Sequence, residues 1–176
     1  MAMISYIGFC GKAGVGKTTA CNILQEIHKG PQILLPWAYD LKRIARKEFG
    51  WDGEKDDKGR KLLQTLGTEC GRMYGGELFW VNKWQAKVDN FVNDAIEFND
   101  KNTRILVLND DIRFNSEAER IKFNGGVIIE LTGRGLDLGS NSSHSSETGI
   151  DDQYIDITLD NSATMESLRL AVSSLV

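Results

Sequence analysis

Apolar residues run along this chain in two rhythms. Ile4–Cys10, Ile33–Leu35, Ile105–Leu108, Val127–Leu131 and Ile155–Leu159 are short and nearly continuous, the pattern of strands covered on both faces. The stretches between them repeat with helical spacing. Lys17–His28 sets Ala20, Leu24 and Ile27 on one face, and Ala163–Leu175 does the same with Met165, Leu168, Val172 and Leu175. Asp40–Phe49, Leu62–Met73, Leu78–Phe98 and Ser116–Phe123 also read as helices, whereas Trp51–Lys61 is charged and turn-like. Alternation of this kind predicts an α/β architecture: a parallel sheet of about five strands flanked by helices. The long helical stretch interrupts the alternation. It predicts a helical subdomain over residues 38–102, carried by a core of residues 1–37 and 103–176. Residues 133–150 are rich in Gly and Ser and read as a lid.

Composition narrows the class. With 41% hydrophobic and 26% charged residues in 176, the chain can bury one ordinary core, so disordered and fibrous classes are excluded. A net charge of −4 argues against a general binder of nucleic acid or membrane surfaces. No apolar run approaches the roughly 20 residues of a membrane helix, and the start MAMISYIGFCG lacks the basic region of a secretory signal. Cys10, Cys21 and Cys70 have no paired spacing and read as reduced thiols, consistent with a cytoplasmic location. His28 and His144 are too few and too far apart for a histidine metal site.

Candidate chemistry is concentrated where the first strand ends. Gly11-Lys12-Ala13-Gly14-Val15-Gly16-Lys17-Thr18 fits G-x-x-x-x-G-K-[ST], with a strand before it and an amphipathic helix after it. Glycines let the backbone N–H groups of Gly11, Ala13, Gly14, Val15 and Gly16 turn inward on a polyphosphate. The helix start at Lys17, Thr18 and Thr19 adds partial positive charge. Lys17 can reach β/γ oxygens, and the Thr18 hydroxyl can ligate Mg²⁺. Asp110 and Asp111 fall where Ile105–Leu108 runs out, the strand end at which ligands bind in open α/β sheets; Asp111 is the candidate for Mg²⁺ and Arg113 for a phosphate.

Three further stretches carry unusual polarity. At 100° per residue, Arg60–Met73 puts Leu62, Leu63, Leu66, Cys70 and Met73 on one face and Gln64, Gly67, Thr68, Gly71 and Arg72 on the other. Two mid-helix glycines cost about 1 kcal/mol each relative to Ala, which points to close approach by a ligand or by another helix. In Leu78–Phe98 the aromatic stripe reads mainly as core, with Trp80 at its start placed to stack on a base. Arg134 opens the Gly/Ser segment and could act on transferring phosphates. Asp40, just after the second strand, and its neighbour Lys42 are candidate substrate contacts.

Taken together, GKAGVGKTT at 11–19, AYDLKRIA at 38–45, RKLLQTLGTECGR at 60–72, FWVNK at 79–83, NDDIRFNSEAE at 109–119 and HSSE at 144–147 with the following DITLDNSATMESL are similar to the deoxynucleoside monophosphate kinases of bacteriophages. The resemblance implies a P-loop kinase fold with a helical monophosphate-binding subdomain and a lid. It implies ATP- and Mg²⁺-dependent phosphorylation of a deoxynucleoside 5′-monophosphate, two small-molecule substrates, a homodimer and, for a phage protein, the host cytoplasm. By motif, Lys17, Asp111, Arg113 and Arg134 would serve transfer, and Asn161 would lie near the adenine. Gln64, Gly67, Thr68, Arg72 and Trp80 would belong to the acceptor site. Asn115-Ser116 departs from the Pro-Asn frequent in relatives. The rival readings are a P-loop kinase acting on a hydroxyl, for which Asp40 would orient the alcohol, and a nucleotide-dependent switch. The switch lacks a guanine-reading NKxD, since Asn82-Lys83 continues into Trp84-Gln85.

Overall fold

The computed structural model describes residues 2–54, 56–100, 102–134 and 149–175. Most of the expected lid, with His144 and Glu147, lies outside the described residues. The described chain forms two compact units: Met1–Pro36 with Phe91–Val176, and Trp37–Asn90.

The first unit is the α/β core. Strands β1 (Met3–Cys10), β2 (Gln32–Leu34), β3 (Arg104–Asn109), β4 (Val127–Thr132) and β5 (Ile157–Asp160) form one five-stranded parallel sheet in the order β2-β3-β1-β4-β5. Register follows burial: Ile105, Leu106, Val107 and Leu108 are fully buried, and β3 pairs with β1 from Met3↔Arg104 to Gly8↔Asn109. Helices α1 (Lys17–Ile27), α6 (Asn115–Phe123) and α7 (Met165–Ser173) flank the sheet. Ala20, Cys21 and Leu24 of α1 and Leu168 and Val172 of α7 share one core with Phe9, Leu106, Leu108, Ile129 and Leu131.

Local chemistry sets the element ends. Thr164 caps α7 by accepting the Ser167 N–H at 3.2 Å, a contact worth about 1 kcal/mol. Met165 is therefore the first residue past the cap and 55% exposed, so it does not join the buried stripe expected of it. The last strand begins at Ile157, two residues later than its apolar run, because Asp152–Tyr154 forms a 3₁₀ turn. Asp156 then anchors the turn's exit: its carboxylate accepts the Ile128 N–H at 2.8 Å and pairs with Lys122 at 2.5 Å.

The second unit is helical. It holds α2 (Tyr39–Phe49), α3 (Asp57–Gln64), a π-helix over Thr65–Arg72, the short turn α4 (Met73–Gly75), and the first part of α5 (Phe79–Glu97). Half of the charged stretch expected to be turn is α3, nucleated by Asp56, whose carboxylate accepts the Gly59 N–H at 2.7 Å. All four tryptophans of the chain, Trp37, Trp51, Trp80 and Trp84, lie in this unit. Trp37 and Trp84 pack with ring centroids 4.2 Å apart.

The three thiols divide sharply. Cys10 and Cys21 are buried and Cys70 is exposed. Burial, reinforced by the charge of Glu130, pushes the Cys10 thiol up to about 12, and burial also raises Cys21. Titration with a thiol reagent at neutral pH should modify one cysteine per native chain and three after denaturation. An acid whose folded pKa is raised keeps its proton after the unfolded chain has lost its own. Stability should therefore fall as pH rises from about 9 towards 12, which denaturant midpoints across that range will check.

Candidate functional site

The Gly-rich turn leaves β1 at the centre of the sheet, and its backbone requires glycine. Gly11, Gly14 and Gly16 have φ of 118°, 75° and 106°, in the left-handed region. A Cβ on Gly11 would also overlap the Leu131 carbonyl, and one on Gly16 would overlap the Asn161 amide. The turn runs straight into α1, so the free N–H groups of the helix start stand behind it.

Three side-chain contacts fix the loop. Lys17 Nζ donates to the carbonyls of Gly11 at 2.7 Å and Lys12 at 2.9 Å. Burial lowers the Lys17 pKa, while the charges of Asp111 and Asp110 oppose the shift and Arg113 adds to it. Thr18 Oγ1 donates to Asp110 Oδ2 at 2.5 Å, joining the loop to the end of β3 across 92 residues. Asn161 Nδ2 donates to the Val15 carbonyl at 2.8 Å.

The carboxylate beside Thr18 is thus Asp110; the sequence offered both Asp110 and Asp111, with Asp111 named for the metal. Asn109 is the reason. It is fully buried, donates from Nδ2 to the Leu35 carbonyl at 2.8 Å, and accepts the Asp111 N–H on Oδ1 at 2.9 Å. That local turn leaves Asp110 against Thr18 and pairs Asp111 with Arg113, whose Nε donates to its Oδ1 at 2.5 Å, while the Asp111 charge still acts on Lys17. Glu117 closes the turn from α6, accepting the N–H groups of Arg113 and Phe114 at 2.8 and 3.2 Å. The Thr18 hydroxyl and the Asp110 carboxylate are hard oxygen donors of the type Mg²⁺ takes while keeping water and phosphate oxygens as its other ligands, so the pair fits that ion. No group of three or more His, Cys, Asp or Glu side chains among the described residues forms a denser metal cage.

Asn161 is nearly fully buried, and its amide clasps the loop. Arg134 is exposed and donates through Nη2 to the Ala163 carbonyl, on the chain that follows β5. Ala13 and Thr19 lie half-buried within the same loop and helix start.

The remaining candidates belong to the helical unit. Gln64 and Thr68 are exposed, Arg72 and Gly67 half-buried. Trp80 is 8% exposed and donates its indole N–H to the Gly67 carbonyl at 2.8 Å, so it does not present a free ring for stacking. Asp40 is buried between Arg43 Nε at 3.0 Å and Lys87 Nζ at 3.6 Å, an ion cluster that braces α2 against α5; Lys42 is half-buried beside it. Sequence reasoning missed Asn109 and Glu117. The first was visible as a polar residue ending a wholly apolar run, and the second as the Glu of a helix start.

No family model matches the chain. A protein of Acanthamoeba polyphaga mimivirus named "Putative deoxynucleotide monophosphate kinase" is 29% identical over 187 residues, covering 97% of this chain and 95% of its own length. Among solved structures, TT1252 from Thermus thermophilus has a TM-score of 0.49 at 12% identity, covering 99% of this chain and 96% of its own. A gluconokinase from Sinorhizobium meliloti 1021 has a TM-score of 0.43 at 13% identity, covering 97% and 93%. No helix among the described residues is long and apolar enough to cross a membrane.

Asn161→Ala leaves the Val15 carbonyl, in a residue 1% exposed, without its partner. Stability should fall by about 1–3 kcal/mol, read as a lower urea midpoint with an unchanged slope.

Proposed function

We propose that this chain is a kinase that transfers the γ-phosphoryl group of ATP to a deoxynucleoside 5′-monophosphate. The observation that carries the donor half is the Thr18–Asp110 contact at the base of a glycine loop already closed by Lys17. The acceptor half is supported by the name of the mimivirus relative, which spans nearly this whole chain, and by the polar set Gln64, Thr68 and Arg72. Charge distribution favours an anionic acceptor there. Residues 37–90 hold eleven of the 21 basic residues and nine of the 25 acids, so that unit carries +2 and the rest of the chain −6.

The chemistry asks little of a base. A phosphate monoester is already an anionic nucleophile at neutral pH, so catalysis reduces to alignment and charge neutralisation. Loop amides from Gly11 to Gly16 hold the donor's phosphates, and Lys17 exchanges loop carbonyls for phosphate oxygens. Thr18 and Asp110 would hold Mg²⁺, which would supply positive charge at the donor's phosphates. Arg113, oriented by Asp111, and Arg134 offset the charge of the group in flight. Asp40 already neutralises two cations, which disfavours it as the carboxylate that a hydroxyl kinase would need.

A coupled ADP-release assay across the common ribo- and deoxynucleoside monophosphates tests this reading. Turnover should be stimulated by at least one deoxynucleoside monophosphate, and a wild-type chain inert to all of them would remove it. Lys17→Ala should abolish transfer. Asp110→Asn should lower kcat by about 100-fold or more, and Asp111→Asn by much less. Arg134→Ala should lower kcat more than it raises the acceptor KM.

A further inference from the structure

The helix carrying Gln64, Thr68 and Arg72 changes type along its length. After the α-helical Asp57–Gln64, the residues Thr65–Arg72 wind as a π-helix, and the Met73 N–H closes a five-residue turn on the Thr68 carbonyl. This winding explains an outcome that α geometry does not. In a helix bonded five residues apart, residues i and i+5 face nearly the same side; in an α-helix five residues turn through about 500°, some 140° beyond a full turn. The two buried residues of the segment are Leu66 and Gly71, five apart. Cys70 and Met73, expected on the buried face, are exposed, Met73 by 77%.

One side chain meets this segment at both of its glycines. Trp80, in the first turn of α5, donates its indole N–H to the Gly67 carbonyl at 2.8 Å. A Cβ at residue 71 would overlap Nε1, Cε2 and Cζ2 of the same indole. The ring is held in turn by Phe79, edge-on with centroids 4.9 Å apart. Gly71 is therefore needed for close approach, and the side from which Trp80 reaches it is set by the winding of Thr65–Arg72.

We propose that Trp80 is a positioning residue that locks the π register and so sets the direction of Thr68 and Arg72 relative to Gln64 for a phosphorylated acceptor. Return to α winding would turn the residues beyond the inserted one by about 100°, moving Arg72 off the direction Gln64 defines. The inference rests on the acceptor role proposed above for these three residues. It replaces base stacking by Trp80 with a hydrogen bond and a packing contact, both made without ligand.

Trp80→Phe keeps the aromatic packing and removes the donor. Steady-state kinetics should show the acceptor KM raised about tenfold, the value of one hydrogen bond, with the ATP KM within twofold of wild type. Amide exchange in a peptide covering residues 65–72 should quicken with no nucleotide present. Gly71→Ala forces the same separation from the other side and should give the same split. Acceptor KM and exchange both unchanged in folded Trp80→Phe would overturn the proposal, as would donor and acceptor constants moving together. If Trp80→Phe fails to fold, Gly71→Ala decides by the same criteria. A wild-type chain inert to every monophosphate defeats the underlying kinase reading instead, and this inference with it.

Discussion

Parallel pairing of β1 with β3 joins segments about a hundred residues apart, and the chemistry at the strand ends depends on its register. Gly8 pairs with Asn109, so the glycine loop and the two aspartates leave the sheet side by side. One residue further on, Asp110 meets Thr18. A slip of a single residue would exchange the two faces of β3. It is opposed by four consecutive side chains, Ile105–Leu108, that are buried without remainder. The observed pairing buries that whole run and also brings Asp110 to Thr18.

The loop that results is tied by side chains before any ligand arrives. Lys17 ties its two shoulders, Thr18 ties its floor to β3, and Asn161 ties its crest to the segment after β5. Each tie replaces conformational freedom that a bound polyphosphate would otherwise have to remove. Asn109 and Glu117 extend the same order into the neighbouring turn, where each satisfies backbone N–H groups that would be costly to leave unpaired. Four buried polar side chains, Asp40, Asn109, Glu117 and Asn161, all have partners, and three of them brace this edge of the sheet.

The parts of this design that depend on periodicity were legible in the sequence. Continuous apolar runs located every strand, and the glycine spacing located the loop, because both signals are local. What escaped depended on partners remote in the chain. Nothing near Asp110 or Asp111 says which one faces Thr18; the choice is made by Asn109 reaching Leu35. The apolar face of residues 60–73 held at Leu62, Leu63 and Leu66 and failed at Cys70 and Met73, because a period of 3.6 was imposed on a segment that winds more loosely from Thr65 on. Its two glycines hinted at a departure, but the cause, Trp80, lies nine residues beyond Gly71. Nor does anything near Asp40 announce Lys87, 47 residues on, as its ion partner.

Placement of every tryptophan within residues 37–90 has an optical consequence. Indole fluorescence of this protein originates in the helical unit, and the sheet with its glycine loop contributes none. The chain thus carries a native reporter confined to one of its two halves: a change in emission registers events around those four rings, and an event limited to the sheet stays dark.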